Sequence, residues 1–132
     1  MIFGMSRILI LFAICAAVLS AQDEAAYSAW MKGTPPQVNA IKAAIMAKDN
    51  AAVATEANKL AATFQQVADF WKTRQKDDAV KMAEATRDAA KEVAAAKDAD
   101  AQNAGVAKAQ ATCGGCHRVY REGAAGSYKI KS

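Results

Sequence analysis

Two cysteines and a histidine near the C-terminus have the types and spacing to do chemistry. They form the sequence Cys113-Gly114-Gly115-Cys116-His117, and His117 is the only histidine in the chain. C-x-x-C-H is the attachment pattern of a c-type haem. Two thiols on one helical turn add to the two porphyrin vinyl groups, and the neighbouring imidazole then falls under the iron. The motif predicts one haem c per chain, anchored through Cys113 and Cys116, with His117 as the iron ligand.

Three other interpretations of the motif stay open at this stage. A zinc site usually needs four ligands, commonly in two separated pairs, and no second Cys/His cluster exists. A thioredoxin-like pair would follow a strand in a βαβ unit, whereas the sequence around Cys113 is alanine-rich and helical in pattern. A disulfide between Cys113 and Cys116 would close too short a loop to stabilise much.

The first residues have the pattern of a secretory signal peptide. Arg7 is the only charge in residues 1–21, an apolar run follows it, and Ser20 and Ala21 are small. The run is shorter than the roughly 20 residues of a membrane span. We therefore expect cleavage near Ser20 or Ala21 and a periplasmic protein, with an uncleaved anchor as the alternative. Bulky Ile14 disfavours lipidation of Cys15, which cleavage would remove.

The composition of the remaining chain predicts one all-α domain. Alanine dominates, prolines number two, and β-branched runs are absent. The net charge of the whole chain is +4, with lysines scattered among acids, so a nucleic-acid partner is not expected. We assign residues 1–21 to the signal peptide, residues 22–122 to the domain and residues 123–132 to a solvated, partly mobile tail.

Apolar residues recur at steps of three and four, which predicts an antiparallel up-down four-helix bundle. Breaks are expected near residues 33–36, 47–50, 74–78 and 97–102. Asp49 or Asn50 is a candidate N-cap, and Asp77 and Asp78 suit the start of the third helix. The three clearest buried faces comprise Val53, Ala57, Leu60, Phe64, Val67 and Trp71; Met82, Thr86, Ala89, Val93 and Ala96; and Val106, Ala109, Cys113, Cys116 and Tyr120.

The first helix is the least regular in sequence. Val38, Ile41 and Ile45 form an apolar stripe, and Pro35 and Pro36 precede it. Proline suits the first turn of a helix, with Thr34 as its cap. Residues 23–32 would then form a separate helical piece or one arm of a kinked helix.

An exported, alanine-rich four-helix chain with C-x-x-C-H in its last helix resembles the cytochrome c′ superfamily, the class II c-type cytochromes. The resemblance covers about residues 23–122, and its strongest match is residues 113–121, with basic Arg121 four residues after His117. It implies a bundle around the haem. In low-spin members a methionine of the first helix binds the iron, whereas in others an apolar residue leaves the iron five-coordinate and open to small gases.

The resemblance places Met31 at the position of that methionine ligand. Met46 and Met82 are interpreted as core residues. Tyr120 is expected near the haem edge. Arg121 is expected either in the haem environment, paired with the propionates, or pointing to water. His/Met ligation indicates a carrier of single electrons that serves periplasmic redox partner proteins. A five-coordinate binder of nitric oxide or carbon monoxide is the alternative, and an enzyme is not expected. Members of the superfamily include monomers and homodimers.

Overall fold

Four helices make up most of the computed structural model, which describes the backbone of residues 3–131 and the side chains of residues 23–131. They are α1 (Phe3–Met46), α2 (Asn50–Thr73), α3 (Asp77–Ala95) and α4 (Ala99–Tyr120). Two short strands follow, β1 (Arg121–Glu122) and β2 (Lys129–Ile130). The predicted signal peptide and Cys15 lie outside the residues whose side chains are described.

Carboxylates stand at the starts of three helices, and those of Asp49, Asp77 and Asp78 were expected from the sequence. Asp49 is the N-cap of α2, where its side chain accepts a hydrogen bond from the backbone N–H of Ala52 at 3.0 Å. Asp98 caps α4 in the same way through Ala101, at 2.9 Å. Asp77 and Asp78 occupy the first turn of α3, where negative charge complements the helix dipole. Side chains therefore cap α2 and α4, whereas α3 begins with two acidic residues and no side-chain cap.

Contacts between neighbouring helices show that the bundle is antiparallel. On α1 and α2, Gln37 donates to Thr63, while Tyr27, earlier on α1, stacks on Phe70, later on α2. The α3–α4 pair shows the same reversal in the two contacts Thr86–Thr112 and Lys108–Glu92. A three-residue turn joins α2 to α3. The four helices pack against each other, and of the neighbouring pairs α1 and α4 touch least.

The predicted core faces are largely confirmed. All six residues of the α2 face are buried, as are Thr86, Ala89, Val93, Val106 and Ala109. The other members of the predicted faces are only partly buried: Met82, Ala96, Cys113, Cys116 and Tyr120. Met46 contradicts the prediction of a core residue: it is 84% exposed at the last position of α1. The core stripe passes through Ile45 instead, so the neighbouring Met46 faces solvent.

The predicted break at residues 33–36 is wrong, because α1 continues through Pro35 and Pro36. Thr34 does not cap a new helix; its hydroxyl donates to the carbonyl of Trp30 within α1, at 2.9 Å. The two prolines have no N–H, so the carbonyls of Met31 and Lys32 lose their usual helical donors. Packing of Tyr27 on one side and Val38 and Ile41 on the other holds both arms of α1 on the bundle.

The expected tail is solvated, but it has a defined fold. β1 and β2 pair antiparallel, with Arg121 opposite Ile130 and Glu122 opposite Lys129. We call residues 121–130 the C-terminal hairpin. Ile130 packs against the core cluster, and the N–H of Lys131 donates to the carbonyl of Tyr120 at 2.7 Å. Gly123, with φ +97°, supplies a left-handed conformation that other residues rarely adopt. The hairpin thus returns the chain to the end of α4.

Candidate functional site

A cavity inside the bundle holds the three residues of the motif. It has a volume of about 330 Å³ and receives residues from all four helices. We call it the inner cavity. Cys113, Cys116 and His117 line it from α4, because steps of three and four place them on one helical face. Of the described residues that line it, none is Asp, Glu, Lys or Arg.

Burial controls the protonation of the motif residues. It raises the pKa of the Cys116 thiol to about 11, with the nearby Cys113 as a second cause. Burial likewise raises the pKa of Cys113. The pKa of His117 is lowered, first by burial and then by the charge of Arg121. At neutral pH the site therefore presents two protonated thiols and a neutral imidazole with a free lone pair.

These properties argue against the redox-pair interpretation of the two cysteines. Reactive C-x-x-C thiols have lowered pKa values and lie at a helix N-terminus, whereas Cys113 and Cys116 lie far along α4 with raised ones. Both thiols are free rather than joined as a disulfide. In the described part of the chain, no three His, Cys, Asp or Glu side chains converge as a metal-binding group.

Met31 lies at the same site, on the opposite helix. It lines the inner cavity together with Cys116 and His117, and it is partly buried against the core. The residue that the sequence resemblance singled out is therefore brought together with the motif. Met82, on α3, also lines the cavity, and its sulfur lies 3.5 Å from where a Cβ on Gly115 would be.

A second, larger cavity adjoins the first. It has a volume of about 790 Å³ and lies between α1, the end of α4 and the C-terminal hairpin. We call it the outer cavity. Met31, Cys116 and His117 line both cavities, as do Tyr27 and Pro35. These shared residues form the boundary between the two spaces, so one ligand could reach into both.

Tyr120 and Arg121 face the outer cavity rather than the inner one. The ring of Tyr120 packs on buried Trp71 with centroids 4.6 Å apart, and its hydroxyl donates to the carboxylate of Asp78. The guanidinium of Arg121 stacks over the ring of Tyr128 at 3.9 Å. Both residues are therefore held in place by other side chains beside the motif.

Three contributors to the site were missed from the sequence. Tyr27 lines both cavities, stacks on Phe70 at 4.5 Å, and has a pKa raised to about 12, chiefly by burial. Its spacing of four residues before Met31 is the signal that could have found it. Tyr128 and Lys129 reach the outer cavity through the hairpin. The sequence feature that could have indicated a turn before Tyr128 and Lys129 is the pair of glycines at positions 123 and 126.

The chain matches no model of a known protein family and no protein among the curated sequences. In the described part of the chain that was searched, no helix is long and apolar enough to cross a membrane.

Proposed function

We propose that this chain is an exported c-type cytochrome of the cytochrome c′ type that carries single electrons through one haem c. Cys113 and Cys116 are the thioether anchors, His117 is the proximal iron ligand and Met31 is the distal ligand. The observation that carries the proposal is the meeting of these four side chains at one cavity, although Met31 is more than 80 positions away in sequence.

The chemistry of the lining supports a haem at this cavity. A porphyrin ring is apolar, and the inner cavity is lined mainly by apolar and uncharged side chains. The imidazole of His117 is neutral and can donate its lone pair, whereas a protonated imidazole could not. The thioether of Met31 is an uncharged sulfur donor on the facing helix. His and Met are an axial ligand pair that cytochromes use.

The roles of the residues follow from their positions. When bound, the haem iron supplies the one-electron couple. His117 on α4 and Met31 on α1 would hold the iron, and with both of them bound no position would remain for a substrate. Tyr27, Phe64 and Val67 exclude water from the inner cavity. A rigid bundle keeps the ligand pair unchanged between redox states, which favours electron transfer. We propose periplasmic redox proteins as the partners of this carrier.

The first test uses Met31→Ala, with Met46→Ala as its control. Wild-type protein should have low-spin iron, a weak near-infrared charge-transfer band from sulfur to ferric iron, and slow carbon monoxide binding. Met31→Ala should lose the band, lower the reduction potential and bind carbon monoxide severalfold faster. The reason is that thioether sulfur stabilises ferrous iron and occupies the position that the gas needs.

Met46 is on the same helix but 84% exposed, so its replacement should change none of these signals. If the wild-type iron is high-spin and Met31→Ala does not change its spectrum, the proposal of an electron carrier would be contradicted. It would favour instead a five-coordinate protein that binds nitric oxide or carbon monoxide.

A further inference from the structure

The outer cavity differs from the inner cavity in its charge. Lys32 from α1 and Arg121 and Lys129 from the C-terminal hairpin line it, with Glu24 as the one acid among its described lining residues. A carboxylate oxygen of Glu24 lies 3.5 Å from a guanidinium nitrogen of Arg74, the C-cap of α2, so the charge of Glu24 is already paired. Within the described part of the chain, Lys32, Arg121 and Lys129 form no ion pair. The outer cavity therefore has an unbalanced positive rim.

The two cavities together suit a ligand with one apolar and one anionic part. The uncharged inner cavity would take the apolar part, and the positive rim would take the anionic part. The shared boundary at Met31, Cys116 and His117 connects them. A porphyrin with two carboxylates on one edge has this division.

We propose that Lys32 and Lys129 form a carboxylate-binding subsite, and that the C-terminal hairpin is a wall of the cofactor pocket rather than a tail. This inference rests on the proposed haem function and extends it to residues outside the motif. The lysines belong to elements far apart in sequence, α1 and β2, and line one cavity because the hairpin returns the chain to the end of α4. Ile130 and the bond from Lys131 to Tyr120 hold the hairpin there.

Both lysines are exposed, so the subsite stays hydrated and each pair with a carboxylate is weak by itself. Two cations from different elements, α1 and the C-terminal hairpin, would act on one anionic edge at once, and Arg121, fixed over Tyr128, would add a third positive charge. The subsite would therefore affect the electrostatic environment of the cofactor more than it affects the stability of the fold. Its removal should leave attachment at the cysteines intact.

The test compares holo-protein variants Lys32→Gln and Lys129→Gln with Lys42→Gln, an exposed lysine of α1 that lines neither cavity. Resonance Raman spectra report the bending vibration of the haem carboxylates, which shifts when their partners change. We expect this band to shift in both subsite variants and to stay in place in Lys42→Gln. The reduction potential should fall in the same two variants, because a lost positive charge stabilises ferric iron.

Identical Raman bands and potentials in wild type, subsite variants and control would overturn the subsite while leaving the haem assignment standing. The subsite would also be overturned if inorganic phosphate shifts the wild-type reduction potential while the lysine variants keep the wild-type Raman bands. The positive rim would then bind dissolved anions rather than the haem carboxylates. Mature wild-type protein without haem would overturn both the subsite and the proposed function.

Discussion

At the scale of single residues, hydrogen bonds and burial decide which protonation states the site holds. Burial keeps Cys113 and Cys116 as thiols and His117 as a neutral imidazole. The hydroxyl of Tyr120, a residue that lines the outer cavity, donates to the carboxylate of Asp78, which joins the end of α4 to the start of α3. This bond lowers the pKa of Asp78 below its ordinary 3.8 and raises that of Tyr120 to about 12.

The pH dependence of this bond gives a residue-scale prediction. The lowered pKa of Asp78 means that its stabilisation is present above pH 3.8 and is lost as the pH falls through its folded-state pKa. The raised pKa of Tyr120 means that its stabilisation is present below pH 10.0 and is lost as the pH rises toward about 12. Tyr120→Phe should therefore lower the free energy of unfolding at pH 7, but not in strong acid.

Urea unfolding of Tyr120→Phe and wild type at the two pH values measures this difference. Tyr128→Phe is the control, because no hydrogen bond of the Tyr128 hydroxyl occurs within the described residues and the side chain is 47% exposed. An equal loss for Tyr120→Phe at neutral and acid pH would show that the stabilisation does not depend on the ionised carboxylate of Asp78, and would contradict the prediction.

At the scale of helices, the spacing of apolar residues in the sequence was sufficient to predict the buried face of α2, but it did not predict the full length of α1. Val53, Leu60 and Trp71 follow one face and are all buried. Proline usually ends or kinks a helix, but α1 continues through Pro35 and Pro36. Tertiary packing on both sides of the prolines outweighs the two lost hydrogen bonds. The fold of the C-terminal hairpin was not predictable either, since it depends on Ile130 reaching a core that forms elsewhere.

The close contact between α3 and α4 at Gly105 gives a prediction about the stability of the helix packing. A Cβ on Gly105 would lie 2.5 Å from Cγ2 of Val93 and 3.6 Å from the carbonyl oxygen of Ala89. Overpacking of this kind costs about 1–3 kcal/mol, which exceeds the gain of up to about 1 kcal/mol in helix propensity. Gly105→Ala should therefore lower the free energy of unfolding, as measured by urea denaturation.

Gly33→Ala is the matched control for this prediction. Nothing lies within 4 Å of a Cβ at Gly33, so only the propensity term applies and the variant should gain about 0.5–1 kcal/mol. Stabilisation of both variants would mean that the two helices can separate at Gly105 without cost.

At the scale of the whole molecule, the two ends of the bundle differ. At one end, buried Gln102 donates to Asn50 at 2.9 Å and to the carbonyl of Ala96 at 3.0 Å, which ties three segments together. At the other end, α1 and α4 stand apart around the inner and outer cavities. The sequence singled out Cys113, Cys116, His117 and Met31, which line this space, but it did not predict the space itself. Such a space depends on how four helices pack together, and no short stretch of sequence indicates it.

The most direct test of the account is whether haem stays covalently attached to the mature protein. The chain should be exported in a bacterial host that attaches haem c, denatured and extracted with acidified acetone. Because two thioether bonds survive unfolding, we predict that haem stays with wild-type protein and with Cys15→Ala, and that Cys113→Ala/Cys116→Ala retains none. Haem that passes into the acetone from wild-type protein, or mature wild-type protein that contains no haem, would contradict the central claim.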